Sequence, residues 1–176
     1  MEKIISYPIS IISLLLFLLT IVIFHPIQWI CFNLFGYQAH KKSVDYLNFI
    51  LLRIAHLLGI TFKIENRELI PKGVPIIFVA NHQSMYDIIG IIWFLRRFHP
   101  KFVSKKELGK GIPSISYNLN HGGSVLIDRN DPKQAILEIK KLSKYIEKTK
   151  RSAVIFPEGT RSVTGDILRF HKVPTY

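Results

Sequence analysis

Cysteine is almost absent from this sequence. Cys31 is the only one in 176 residues, so no disulfide bond can form within the chain. The seven histidines lack the spacing of a metal site, and we expect no bound metal and no cofactor. The sequence also has no Gly-x4-Gly-Lys phosphate loop, no dinucleotide-binding fingerprint, no internal repeat and no Gly-x-Ser-x-Gly nucleophile elbow. These absences argue against a disulfide scaffold, a P-loop enzyme and a hydrolase with a serine nucleophile.

Acidic residues are also few, with 12 Asp and Glu against 24 Lys and Arg, which gives a formal net charge of +12. A strongly basic chain suggests nucleic acid as an alternative partner. However, no zinc-finger spacing or aromatic RNA-binding motif accompanies the charge, so we expect no nucleic acid. One basic cluster lies on the polar face of a predicted helix, where it is either solvated or attracted to anionic lipid at about 1 kcal/mol per charge; its members are Lys140, Lys141, Lys144, Lys148, Lys150 and Arg151.

Charge is missing altogether from Ile4 to Phe24, an apolar run of 21 residues. As a helix it would extend roughly 30 Å, enough to cross the core of a bilayer. The alternative is a buried helix. A shorter apolar stretch, Pro26 to Tyr37, suits an interfacial or re-entrant helix, so residues 1–40 are predicted to form a membrane anchor that is either one span or a helical hairpin.

The basic residues near this anchor favour one orientation. Lys3 is the only one before the apolar run, whereas several follow it: His40, Lys41, Lys42 and Arg53. Basic residues beside a span remain mainly in the cytosol. We therefore expect a protein of the cytoplasmic (inner) membrane whose catalytic domain lies on the cytosolic face.

The remainder of the chain, residues 41–176, has the pattern of a layered α/β domain. An amphipathic helix is predicted from Val44 to Leu58, with its apolar stripe on the domain core or the membrane surface. Strands and helices then alternate. Strands are predicted at 60–65, 74–80, 101–104, 124–128 and 152–156, helices at 84–97 and 132–149, and a loop or short helix at 105–123.

Two polar residues, His82 and Asp87, lie five positions apart where a predicted strand gives way to a helix. Within one helix their side chains would point about 140° apart. A histidine just before a helix and an aspartate in its first turn can meet, because helical side chains tilt toward the N-terminus. The carboxylate would then hold one imidazole nitrogen and leave the other free as a base. The alternative is a structural helix start, with Ser84 as N-cap and Asp87 as its capping-box partner.

A second polar segment follows another predicted strand and reads Phe156-Pro157-Glu158-Gly159-Thr160-Arg161-Ser162. Gly159 would let the backbone approach a ligand closely. Arg161 offers a planar fork for phosphate or carboxylate, and the two hydroxyls are additional donors. The alternative is an ordinary polar turn, with Arg161 either solvated or paired with Glu158.

Together the two segments resemble the glycerolipid acyltransferases. The first, Asn81-His82-Gln83-Ser84-x-x-Asp87, is similar to their His-x4-Asp motif, and the second to their Phe-Pro-Glu-Gly-Thr-Arg motif. Two stretches between them resemble the family's intermediate block: Lys105-Lys106-Glu107-Leu108-Gly109 and Gly123-Ser124-Val125-Leu126-Ile127-Asp128-Arg129. The resemblance covers about residues 60 to 172. It is strongest to the 1-acylglycerol-3-phosphate (lysophosphatidic acid) acyltransferases.

This resemblance implies a glycerolipid-acyltransferase-like layered α/β domain behind an N-terminal helical membrane anchor. It implies acyl transfer from acyl-CoA or acyl carrier protein to the sn-2 hydroxyl of lysophosphatidic acid, which gives phosphatidic acid. The protein would work among membrane lipids and form no covalent acyl-enzyme. His82 would be the general base, and Asp87 would orient and stabilise its imidazolium. Six residues would bind the glycerol phosphate: Lys105, Arg129, Glu158, Gly159, Thr160 and Arg161.

The end of the chain departs from the family pattern. Family members continue after Phe170-His171-Lys172 with a helix and a further strand, so we expect the domain to be incomplete at its C-terminus. Val173-Pro174 is either a remnant of the Val-Pro motif in that segment or a coincidence. Two hypotheses follow: an acyltransferase, for lysophosphatidic acid or another lysophospholipid, and an inactive membrane-anchored remnant that binds lipid.

Overall fold

A long N-terminal helix bends back on itself. The computed structural model describes residues 2–170, with side chains from residue 7 onward. Helix α1, Glu2–Leu57, is broken at Gly36, whose φ of 74° and ψ of −170° are not helical. A straight helix would separate Ile21 from Leu51 by about 45 Å, yet both belong to one buried cluster. The two arms, residues 2–35 and 37–57, are therefore antiparallel. The apolar stretches Ile4 to Phe24 and Pro26 to Tyr37 lie almost entirely in the first arm, so the bend at Gly36 comes after both stretches and is not a hairpin between them.

The first arm presents an apolar surface along its length. Its exposed side chains include Leu14, Leu15, Leu18, Leu19 and Ile23. By length and composition α1 is the one helix in residues 2–170 that could cross a membrane. Only 17% of its most apolar window is buried, which fits a lipid-facing helix better than the buried helix considered from the sequence.

Within residues 2–170, four parallel strands form the sheet. They are β1 (Ile77–Val79), β2 (Pro100–Lys105), β3 (Val125–Ile127) and β4 (Ser152–Ile155), in the spatial order β1-β4-β2-β3. All pairings are parallel, so every strand ends at the same edge of the sheet. The α/β prediction is confirmed, as are four of the five predicted strands.

The helices of the domain follow the predicted alternation. They are α2 (Tyr86–Phe94), α3 (Ile115–His121) and α4 (Pro132–Thr149), with short 3-10 turns at Arg67–Leu69, Arg96–Phe98 and Lys106–Gly109. Asp131 caps α4 by accepting a hydrogen bond from the Gln134 N–H at 3.0 Å. Leu142 and Ile146 of α4 are buried against the sheet, and its lysines lie on the exposed face.

The strand predicted at 60–65 is wrong. This segment is not part of the sheet within the described residues. The Phe62 ring instead packs beside Gly90 of α2 and contacts Phe94. Phe62 therefore packs against helices without a partner strand, whereas Ile64 remains 40% exposed.

The second arm of α1 docks on the amino-terminal edge of the sheet. The Lys101 ammonium donates to the Tyr37 hydroxyl at 2.9 Å, and the Arg151 guanidinium lies 3.6 Å from the centre of the Tyr37 ring. Burial, with the charges of Arg151 and Lys41 nearby, lowers the pKa of Lys101 to about 7. Because this arm crosses residue 40, the predicted boundary between anchor and domain falls within a helix.

Candidate active site

The predicted pair meets just beyond β1. Nδ1 of His82 lies 3.2 Å from Oδ2 of Asp87. A carboxylate only accepts hydrogen bonds, so we assign the proton to Nδ1, and in the neutral imidazole this leaves the lone pair on Nε2. His82 lies in the turn before α2 and Asp87 in its first turn, as the five-residue spacing predicts. The side chains are 15% and 27% exposed, so both are partly accessible to solvent.

The same carboxylate also stabilises the start of α2. Asp87 Oδ2 accepts from the backbone N–H groups of Gln83 and Ser84, both at 2.8 Å. The Ser84 hydroxyl accepts from the backbone N–H of Tyr86 at 3.2 Å, and not from the backbone N–H of Asp87 as in a capping box. The structural and the chemical interpretations of the motif are therefore compatible, because one carboxylate oxygen serves both.

The register of the sheet brings the second motif to His82. Val79 of β1 pairs with Ile155 of β4, and His82 and Glu158 each follow three positions later. The His82 N–H donates to Glu158 Oε1 at 3.0 Å, and the His82 carbonyl accepts from the Ser162 N–H at 2.9 Å. Both backbone polar groups of the histidine are thus held by the second motif.

An aromatic ring supports the imidazole. Phe156 stacks on His82 with ring centres 4.2 Å apart and planes 23° apart. Phe102 of β2 lies behind it, 6.4 Å from Phe156. This contact was not predicted, although Phe156 is the first residue of the motif. Packing on one face and hydrogen bonds at the edge limit the orientations open to the imidazole.

The predicted phosphate-binding residues do not all face solvent. Thr160 and Arg161 are exposed, and Gly159 has a φ of 64°, in the region that favours glycine. Arg161 forms no ion pair with Glu158 within residues 2–170, so the paired alternative is wrong. Glu158 is only 1% exposed and points inward.

The two remaining candidates lie along the same edge of the sheet. Lys105 ends β2, two strands from β1, and Arg129 follows β3, which is three strands away. Strands are spaced about 4.8 Å apart, which places their ends roughly 10 and 14 Å from that of β1. Both side chains are exposed. Lys105 is therefore nearer to His82 along the edge than Arg129. No cluster of side chains suited to a metal occurs in the described part of the chain.

Comparison with known proteins identifies the family. A family model described as Acyltransferase matches residues 61–173, nearly two thirds of the sequence. The chain belongs to the acyltransferase family. The match includes both motifs that meet at the site described above.

Two relatives have the same name. A 1-acyl-sn-glycerol-3-phosphate acyltransferase of Cocos nucifera is 35% identical over 117 residues, which cover 66% of this chain and 36% of that protein. The Helicobacter pylori enzyme of the same name is 42% identical over 93 residues, covering 51% and 37%. The chain thus matches little more than a third of the length of these two relatives.

A solved structure has the same architecture. The 1-acyl-sn-glycerophosphate (LPA) acyltransferase PlsC of Thermotoga maritima superposes with a TM-score of 0.72 at 27% identity. The superposition covers 98% of this chain, including α1, and 68% of that protein. The bent helix α1 and the sheet therefore form one arrangement that both proteins share.

Proposed function

We propose that this protein transfers an acyl group from acyl-CoA or acyl carrier protein to the sn-2 hydroxyl of 1-acylglycerol-3-phosphate, giving phosphatidic acid. The observation that carries the proposal is the His82–Asp87 contact beside the Glu-Gly-Thr-Arg loop, at the edge where all four strands end. The names of the relatives support the same substrate.

The histidine provides the base. With Nδ1–H directed at Asp87, Nε2 takes the proton from the substrate hydroxyl as its oxygen attacks the thioester carbonyl. The tetrahedral intermediate then expels the thiolate, and the imidazolium returns its proton to that sulfur. The Asp87 carboxylate stabilises the imidazolium between these steps. No acyl group is attached to the protein.

The exposed loop provides a place for the phosphate. Arg161 can bind a phosphomonoester through two parallel hydrogen bonds, and the Thr160 hydroxyl lies beside it in sequence. Lys105 and Arg129 add positive charge along the same edge. The geometry divides the motif, since Thr160 and Arg161 face solvent while Glu158 does not.

Phospholipid substrates require a place at the membrane. Helix α1, with its exposed apolar arm, would hold the domain there. The basic residues after the first arm favour the cytosolic face of the inner membrane, and the family resemblance implies cytosolic acyl donors. In sealed vesicles with the native orientation, residues 60–170 should resist added protease until the membrane is opened. Digestion of this segment in intact vesicles would place the domain outside.

The activity is tested by His82→Ala. Membranes containing the parent chain should form phosphatidic acid from lysophosphatidic acid and acyl-CoA or acyl carrier protein, and His82→Ala should reduce the rate by about two to four orders of magnitude. His56→Ala is a matched control, because His56 is exposed on the second arm of α1. An inactive parent chain that still binds the lipid would favour the remnant hypothesis, and an active His82→Ala variant would reject the base assignment.

A further inference from the structure

The Glu158 side chain is buried in an unusual way for a residue of a substrate-binding loop. It is 1% exposed, and it has no ion-pair partner within the described residues. A buried carboxylate is costly unless hydrogen bonds replace its hydration. Here each oxygen accepts one backbone N–H at 3.0 Å, Oε1 from His82 and Oε2 from Leu168. The acceptors of this carboxylate are thus engaged by the protein itself.

The direction of this side chain conflicts with a role in holding phosphate. A substrate phosphate carries negative charge, and a carboxylate without a cationic partner repels it. Arg161, three positions later, is exposed and separate from Glu158. Arg161 is therefore the outward part of the loop, which is suited to an anion. Glu158 is the inward part, which contacts the turn that carries His82.

The inward part acts on His82. The Glu158 bond fixes the His82 N–H, while the Ser162 N–H fixes the carbonyl of the same residue. Holding both sides of one residue restricts its backbone dihedral angles, and these set the direction of the imidazole toward Asp87 and the substrate. The second bond of Glu158, to Leu168, ties the segment after the motif to the same point.

We infer that Glu158 is a positioning residue, which holds the catalytic histidine and does not bind the glycerol phosphate. The inference rests on the proposed acyl transfer and changes the role that the family resemblance implies for this residue. Misplacing a catalytic group by about 1 Å can cost roughly a hundredfold in rate. Loss of Glu158 should thus affect the chemical step more than substrate binding.

The test compares Glu158→Gln with two other variants. Glutamine has nearly the same shape but cannot accept from two N–H groups with both of its terminal atoms, so one buried bond is lost. We expect kcat to fall by roughly tenfold to a hundredfold, with the KM for lysophosphatidic acid changing less than about threefold. Arg161→Lys should do the reverse. Asp166→Asn is the matched control, since it removes the same charge from an exposed position eight residues later.

A second measurement does not depend on activity. Hydrogen exchange of peptides containing the His82 and Leu168 amides should accelerate in Glu158→Gln and remain at the parental rate in Asp166→Asn. Glu158→Asp, which is too short to reach both amides, should give the same pattern if the glutamine variant folds poorly. This result would support the positioning role even if the parent chain formed no phosphatidic acid, which would reject only the proposed activity.

Two results would overturn the inference. One is a raised KM for lysophosphatidic acid at unchanged kcat in Glu158→Gln, which would place the carboxylate in the substrate site. The other is unchanged exchange at both amides, which would show that the two hydrogen bonds contribute nothing to the position of His82.

Discussion

Replacing Asp87 by asparagine should separate the two roles of this carboxylate. Its Oδ2 accepts from His82 Nδ1 at 3.2 Å and from the N–H groups of Gln83 and Ser84 at 2.8 Å. Asparagine keeps an oxygen acceptor for the two backbone groups. It removes the negative charge that stabilises the imidazolium. We expect α2 to remain folded while acyl transfer falls by about two to four orders of magnitude.

The two losses differ in size. A hydrogen bond to a charged group contributes about 1.5–3 kcal/mol and a neutral one about 1 kcal/mol. Neutralising the acceptor of two backbone bonds therefore costs roughly 1–3 kcal/mol, toward the lower end because the Asp87 side chain is 27% exposed. Two to four orders of magnitude in rate correspond to roughly 3–5 kcal/mol. The rate should thus suffer more than the stability.

The assay pairs Asp87→Asn with Asp131→Asn. Asp131 caps α4 through the Gln134 N–H, so its variant loses charge at a helix start far along the chain from His82. Initial rates of phosphatidic acid formation, far-ultraviolet circular dichroism and thermal unfolding are measured for both. Similar stability losses with a rate defect only in Asp87→Asn would support the catalytic role. A rate within threefold of the parent in Asp87→Asn would refute it and leave helix capping as the function of the motif.

Two further predictions concern other charged groups. Arg161→Lys should raise the KM for lysophosphatidic acid more than the KM for the acyl donor, because lysine cannot form the two parallel hydrogen bonds of a guanidinium. Steady-state kinetics with each substrate varied in turn would show this difference. Equal effects on both KM values would indicate a structural role for Arg161. Burial lowers the pKa of Lys101 from its ordinary value of 10.5 to about 7. Between these two pH values the unfolded chain keeps a proton that the folded chain has released. The free energy of unfolding therefore rises with pH in this range. Lys101→Met should be more stable than the parent at pH 7 and should flatten this rise in thermal unfolding, whereas an unchanged slope would show that Lys101 is not its source.

Local features of the site were predictable from the sequence. The His82–Asp87 contact depends only on a turn followed by a helix, because both residues lie within six positions. Helix α4 was also predictable to the residue, since Asp131 and Pro132 mark its start and its apolar positions recur with helical spacing. The bend at Gly36 and the path of segment 60–65 depend on distant packing, so the sequence did not locate the first and gave the wrong answer for the second.

The position of Glu158 shows what determines the rest of the site. Its residue type and motif are visible in the sequence, yet a glutamate after a strand can face a ligand or the protein equally well. Strands β1 and β4 are separated by more than 70 residues but are neighbours in the sheet, with Val79 opposite Ile155. That register carries His82 and Glu158 the same distance beyond their strands, where a carboxylate meets a backbone N–H. The division of the loop into an inward Glu158 and an outward Arg161 is therefore a consequence of strand order, which neither motif contains.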